Sequence, residues 1–189
     1  MRELALYENI MLLGSGIEVC IDKKLSGPAL ILIYSAIDTV GWLDSPDEYA
    51  NKTSFIKWVE AYLLKVKSLE CTALDLYAAR CGLLHTFSPD SRLTSKGKAR
   101  RIYYAWGKAS VQHLQRTIDL MEKSNELVAV HVNGLYEGWR LGVLKFIEEL
   151  EKDRERKLQV FEKATKFFSE LGLETLPKIL DKIDKDEGA

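Results

Sequence analysis

A chain of 189 residues with a net charge of −1 and 47% apolar residues is large enough to bury one core and too apolar to be disordered. Its 27 basic and 28 acidic side chains exclude an overall polycation, so nucleic acid must be met by a local patch or a catalytic contact. Three cysteines, Cys20, Cys71 and Cys81, lie far apart and never in CxxC spacing. They imply neither a disulfide framework nor a zinc site, and they fit reduced thiols in the cytoplasm. The start "MRELALYEN" lacks the basic-then-apolar order of a signal peptide.

In chain order, residues 8–25 carry Ile10, Leu13, Ile17 and Ile21 at helical spacing. Ser26 and Gly27 mark a turn, and Pro28 stands where a helix tolerates it, at the start. The run from there to Trp42 is short for a membrane span and contains Asp38, so a buried core helix is expected and no membrane contact. A polar loop, 44–53, leads to a helix at 54–66 with Phe55, Trp58, Val59 and Leu63 on one stripe. "TALDLYAARCGLLH", 72–85, is a helix with Thr72 as N-cap and Asp75 as first-turn acid.

The pattern then changes. Residues 87–101 have the composition of a loop. "RIYYAW" (101–106) and "LVAVHV" (127–132) read as strands, the second ending at a turn signal, Asn133-Gly134. A helix at 110–123 separates them and permits a crossover, which leaves parallel and antiparallel pairing both open. Helices follow at 135–150, 154–171 and 175–183. The mixed charges of "EELEKDRERK" predict a solvated helical face. One domain over 1–189 is expected, mainly α with a small two-stranded β element. Residues 1–90 form its helical core, and 91–189 form a β-containing and C-terminal helical elaboration.

Several chemistries have no motif here. No GxxxxGK[ST] phosphate loop, HExxH helix or GxSxG elbow occurs, and "GSG" at 14–16 reads as small residues for helix packing. His85, His113 and His131 lie on three different elements, so neither a metal site nor a cofactor is expected.

What stands out is Arg80 and His85 on a helix that is otherwise apolar almost all round. Residues five apart on a helix are turned by roughly 140° and raised by ~7.5 Å. The two side chains therefore share no continuous face, and they converge only if the helix ends near His85, as "TFSPDS" suggests. Arginine supplies a permanent cation with a planar fork for phosphate oxygens, and histidine a group suited to proton transfer near neutrality. Together they suffice for metal-free RNA cleavage, in which the 2′-hydroxyl attacks the adjacent phosphorus. A structural alternative pairs Arg80 with Asp38 and leaves His85 as a helix cap.

The stretch "LYAARCGLLHTF", 76–87, resembles the signature of the HEPN superfamily. That signature is an arginine, four to six residues, then a histidine near the end of a core helix. The resemblance implies a HEPN-like helical bundle that forms a homodimer. Two motifs would meet at the interface in a composite, metal-independent ribonuclease site. It further implies a toxin or antiviral effector, with an antitoxin or defence-system partner. Non-catalytic members also exist, which implies as the alternative a dimerisation or nucleotide- or RNA-binding module. Arg80 and His85 carry over as catalytic residues. Cys81 stands where members often have a polar residue, and Phe87 where some toxins have tyrosine. Both are supporting candidates. So are Asp38 and Tyr34, which lie one helical turn apart and can orient Arg80 or line a pocket.

Arg92, Lys96, Lys98, Arg100 and Arg101 form a basic run with no acid between them. It reads equally as a track for an RNA backbone or as a solvated loop. Tyr103, Tyr104 and Trp106 read as strand core before base-stacking groups.

Overall fold

The computed structural model describes residues 2–167. In chain order the elements are α1 (Arg2–Asp22), α2 (Ser26–Leu43), α3 (Lys52–Trp58), a π-helical turn (Val59–Leu63), α4 (Leu64–Val66), α5 (Ala73–Thr86), α6 (Arg92–Ser95), β1 (Arg101–Ala105), α7 (Val111–Leu120), β2 (Leu127–His131), α8 (Val132–Leu150) and α9 (Arg154–Ala164). The fold is mainly helical with one small sheet, as the sequence leads one to expect. The helix expected at 154–171 ends at Ala164, with Thr165 as its C-cap, and the expected helix at 175–183 lies outside the described residues.

The most apolar stretch becomes the centre. Helix α2 buries Ile33, Tyr34, Ile37 and Val40 completely and packs against α1, α3, α5, α8 and α9. It is long and apolar enough to cross a membrane, but half of it is buried inside the bundle and it carries Asp38. The break before it comes earlier than Ser26-Gly27. Lys24 adopts a left-handed backbone (φ 59°), and the Leu25 N–H closes the turn onto the Cys20 carbonyl at 2.8 Å. Ser26 and Pro28 then fall in the first helical turn, whose N–H groups need no intrahelical partner.

The core does not close within residues 1–90. Trp139 and Phe146 of α8, and Val160 and Phe161 of α9, join Leu6, Trp58 and Leu76 in one buried cluster. Helix α8 approaches the π-turn through glycine: a Cβ on Gly142 would lie 3.1 Å from the Trp58 ring and 3.2 Å from the Leu63 backbone nitrogen. Helices α8 and α9 are thus part of the helical core rather than an addition to it. "GSG" behaves as small packing residues, with Gly14 against Trp139 and Gly16 against Leu32.

The two strands pair parallel, Arg101 opposite Leu127 and Ala105 opposite His131, with α7 as the crossover. Asn133-Gly134 is no turn. It lies in the first turn of α8, where the His131 Nδ1 accepts from the Asn133 N–H at 3.2 Å. A capping histidine thus lets strand pass straight into helix.

The charged run 148–157 is also not one solvated face. It breaks after Leu150, and Asp153 caps α9 by accepting from the Arg156 N–H at 3.1 Å. Arg156 turns inward onto Asp44, and its guanidinium reaches the Tyr62 hydroxyl at 2.5 Å. Tyr62 in turn donates to Glu149 at 2.9 Å, and burial pushes its hydroxyl up to about 12. Lys163 donates to the carbonyls of Trp42, Ser45 and Asp47, closing the C-terminal end of α2.

Candidate active site

Helix α5 carries the site, and both of its ends are built. At the N-terminus the Thr72 hydroxyl accepts from the Asp75 N–H (3.1 Å) while the Asp75 carboxylate accepts from the Thr72 N–H (2.9 Å). This is a reciprocal cap. Asp75, buried to 3% exposure, also takes the Arg100 N–H at 2.7 Å and its guanidinium at 2.8 and 3.1 Å. The start of β1 is thereby fixed to the start of α5.

At the C-terminus Phe87 adopts a left-handed backbone (φ 50°, ψ 37°) and its N–H donates to the Leu83 carbonyl at 3.1 Å. The Ser88 N–H reaches back to Gly82 at 3.2 Å. The returning loop presses on Gly82: an added Cβ would lie 2.5 Å from the Ser88 oxygen and 2.7 Å from the Asp90 oxygen. Neither backbone atom can yield cheaply. Gly82→Ala is therefore expected to cost ~1–3 kcal/mol through the displaced loop, more than the roughly 1 kcal/mol that alanine gains in a helix. Urea denaturation measures it, and a variant more stable than wild type would contradict the argument.

Arg80 and His85 meet at this end. The Arg80 Nε donates to Asp38 Oδ2 at 2.6 Å, and a terminal nitrogen lies 3.4 Å from the His85 Nε2. The divergence expected from the five-residue separation is overcome by the length of the arginine side chain, within a single chain. Arginine has no acceptor, so it donates, and Nε2 receives through its lone pair. The contact is long for a hydrogen bond and therefore weak. His85 itself is exposed, whereas the Arg80 and Asp38 side chains are only 21% and 15% exposed.

Burial raises the Asp38 carboxyl above its ordinary range, although the Arg80 hydrogen bond and charge oppose this. Burial alone would lower Arg80. The Asp38 and Cys81 contacts together more than offset it, so the guanidinium is held firmly charged. The arrangement is a fixed cation beside an exposed imidazole, suited to holding a phosphate next to a proton-transfer group.

The supporting candidates separate. Asp38 is in place. Cys81 is half-buried and lies against both Arg80 and Tyr77. Tyr34 is turned into the core, 0% exposed, with its hydroxyl 2.6 Å from that of Tyr104 on β1. It ties helix to sheet and is not part of the Arg80 cluster. Phe87 is 63% exposed, and its ring lies over Gly27 at the start of α2. Tyr77 was not singled out from the sequence. It precedes Cys81 and His85 at four-residue steps, and that spacing was the available signal. Its ring packs edge-on against Phe55 at 5.5 Å.

The basic run is not one track. Arg100 is committed to Asp75 and to the Glu70 carbonyl, and Arg101 pairs with Asp90. Arg92, Lys96 and Lys98 are exposed, on and after the short helix α6, which Ser91 caps. Tyr103 is exposed on β1, while Tyr104 and Trp106 pack against the core. His113 is exposed on α7. Among the described residues, no three His, Cys, Asp or Glu side chains are grouped to hold a metal ion.

No family model matches the chain, and neither a curated protein nor a solved structure matches it.

Proposed function

We propose that the chain is a HEPN-type RNA endonuclease of the cytoplasm that needs no metal and acts as a homodimer. In a cell it serves as a toxin or antiviral effector, controlled by an antitoxin or a defence-system partner. The observation that carries this reading is the 3.4 Å approach of Arg80 to His85 at an exposed helix end. A phosphate arriving there competes for the guanidinium and releases the Nε2 lone pair. Nε2 then takes the proton of the 2′-hydroxyl as that oxygen bonds to phosphorus. The bond from phosphorus to the 5′ oxygen breaks, and the leaving oxygen takes a proton from the second protomer's copy of His85. Arg80 offsets the charge that grows on the phosphoryl oxygens.

This chemistry leaves 2′,3′-cyclic phosphate and 5′-hydroxyl ends. Incubation of the full chain with several RNAs in EDTA, with end-group analysis by mass spectrometry, is expected to find both. Intact RNA throughout would overturn the nuclease reading.

The bond from Arg80 to Asp38 of its own chain favours a second reading. In it the protein is a non-catalytic dimerising or nucleotide-binding module, and Arg80 is a structural residue. It predicts that Arg80→Ala weakens folding or dimerisation. A folded, dimeric Arg80→Ala protein that no longer binds any nucleotide or RNA would contradict its purely structural form.

A further inference from the structure

The far side of Asp38 opens onto a recess of about 370 Å³. Asp38 and Trp42 stand one helical turn apart on α2 and form one wall. The Trp42 indole N–H donates to the Glu48 carbonyl at 2.8 Å, which holds the following loop in place. Asn51 secures the same loop, donating to Asp47 at 2.8 Å and to the Tyr49 carbonyl at 3.4 Å. The backbone at Tyr49 is thus pinned while its side chain is 75% exposed at the rim. Lys166 approaches from beyond α9.

An aromatic ring of this size, held in solvent by a fixed loop, has its π-face available. The Trp42 ring is less available, because Lys163 lies 5.3 Å from it and Phe167 packs on its edge. An open ring, a cation and a shallow recess are the elements by which proteins hold unpaired bases. Asp38, which accepts from Arg80, lines the recess, and Glu48 is the other acidic residue on its wall.

We infer that this recess is a base-binding subsite for single-stranded RNA, with Tyr49 as the stacking platform and Lys166 drawing in the backbone. The inference rests on the ribonuclease reading for its substrate and adds where the strand lies: across α2, beside the scissile phosphate. Paired RNA is excluded, because its bases are not free to leave the stack.

The test uses fluorescence anisotropy of labelled oligocytidylate and oligoadenylate with the full chain in EDTA, with cleavage followed in parallel. Tyr49→Ala is expected to weaken binding roughly tenfold, the loss of one stacked base, while Tyr49→Phe stays near wild type. Lys166→Ala is expected to weaken binding and flatten its salt dependence. Equal binding by Tyr49→Ala and Tyr49→Phe overturns the subsite, and so does the absence of any RNA binding. If RNA is cut but binding ignores Tyr49, the subsite falls and the nuclease stands. If binding follows Tyr49 but no RNA is cut, the nuclease falls and the subsite stands.

Discussion

His85→Ala is expected to lower RNA cleavage by about 10²–10⁴-fold, the usual contribution of a positioned proton-transfer group. The protein should stay folded. His85 is exposed at the last turn of α5, and the hydrogen bonds that end the helix come from Phe87, Ser88 and the Thr86 hydroxyl. Its removal should therefore shift stability by no more than ~0.5 kcal/mol. Single-turnover cleavage in EDTA, with urea denaturation of the same samples, separates the two effects. Arg80→Lys is the companion variant. It keeps the charge but loses the planar fork that reaches Asp38 and His85 together. A His85→Ala protein that cuts RNA at the wild-type rate would remove His85 from the chemistry.

Asp75→Ala should be the most damaging change outside the hydrocarbon core, at about 3 kcal/mol. One carboxylate accepts from the Thr72 N–H, the Arg100 N–H and the Arg100 guanidinium. Its loss leaves Arg100, whose side chain is 26% exposed, without an anion, and unseats the cap of α5. Thr72→Ala removes only the reciprocal half of the cap and should cost about 1 kcal/mol. Equilibrium urea unfolding gives both values. Equal costs for the two variants would mean that the Asp75–Arg100 bond contributes nothing beyond the cap.

The local features of the fold were legible. Thr72 and Asp75 announced the start of α5, and strand composition placed β1 and β2 to within a residue. Long-range partners were not. Arg100 looked like one more member of a basic run, because nothing nearby in sequence shows that Asp75 lies beside it in the fold. Asn133-Gly134 failed as a turn signal because its neighbour His131 supplies a cap, which a dipeptide rule does not see. The break before α2 moved because Lys24 took the left-handed position usually given to glycine. At the site, Asp38 as the partner of Arg80 was among the readings the sequence allowed. Arg80 and His85 meet at a helix end, as the sequence allowed, and the long arginine side chain closes a distance that Cα positions alone leave open. The Tyr49 recess gave no motif, since its parts come from α2, a loop and the residues after α9.

The clasp on α2 also bears on how the protein is made. The carbonyl of Trp42, in the last turn of α2, and those of Ser45 and Asp47 in the loop after it wait for Lys163, some 116 to 121 residues later in the chain. Asp44 likewise waits for Arg156, 112 residues on. During synthesis these partners are therefore absent until α9 has emerged from the ribosome. Lys166, on the rim of the recess, arrives with it. For the proposed nuclease, this order of synthesis delays completion of the proposed RNA-binding recess until the residues just past α9 have left the ribosome.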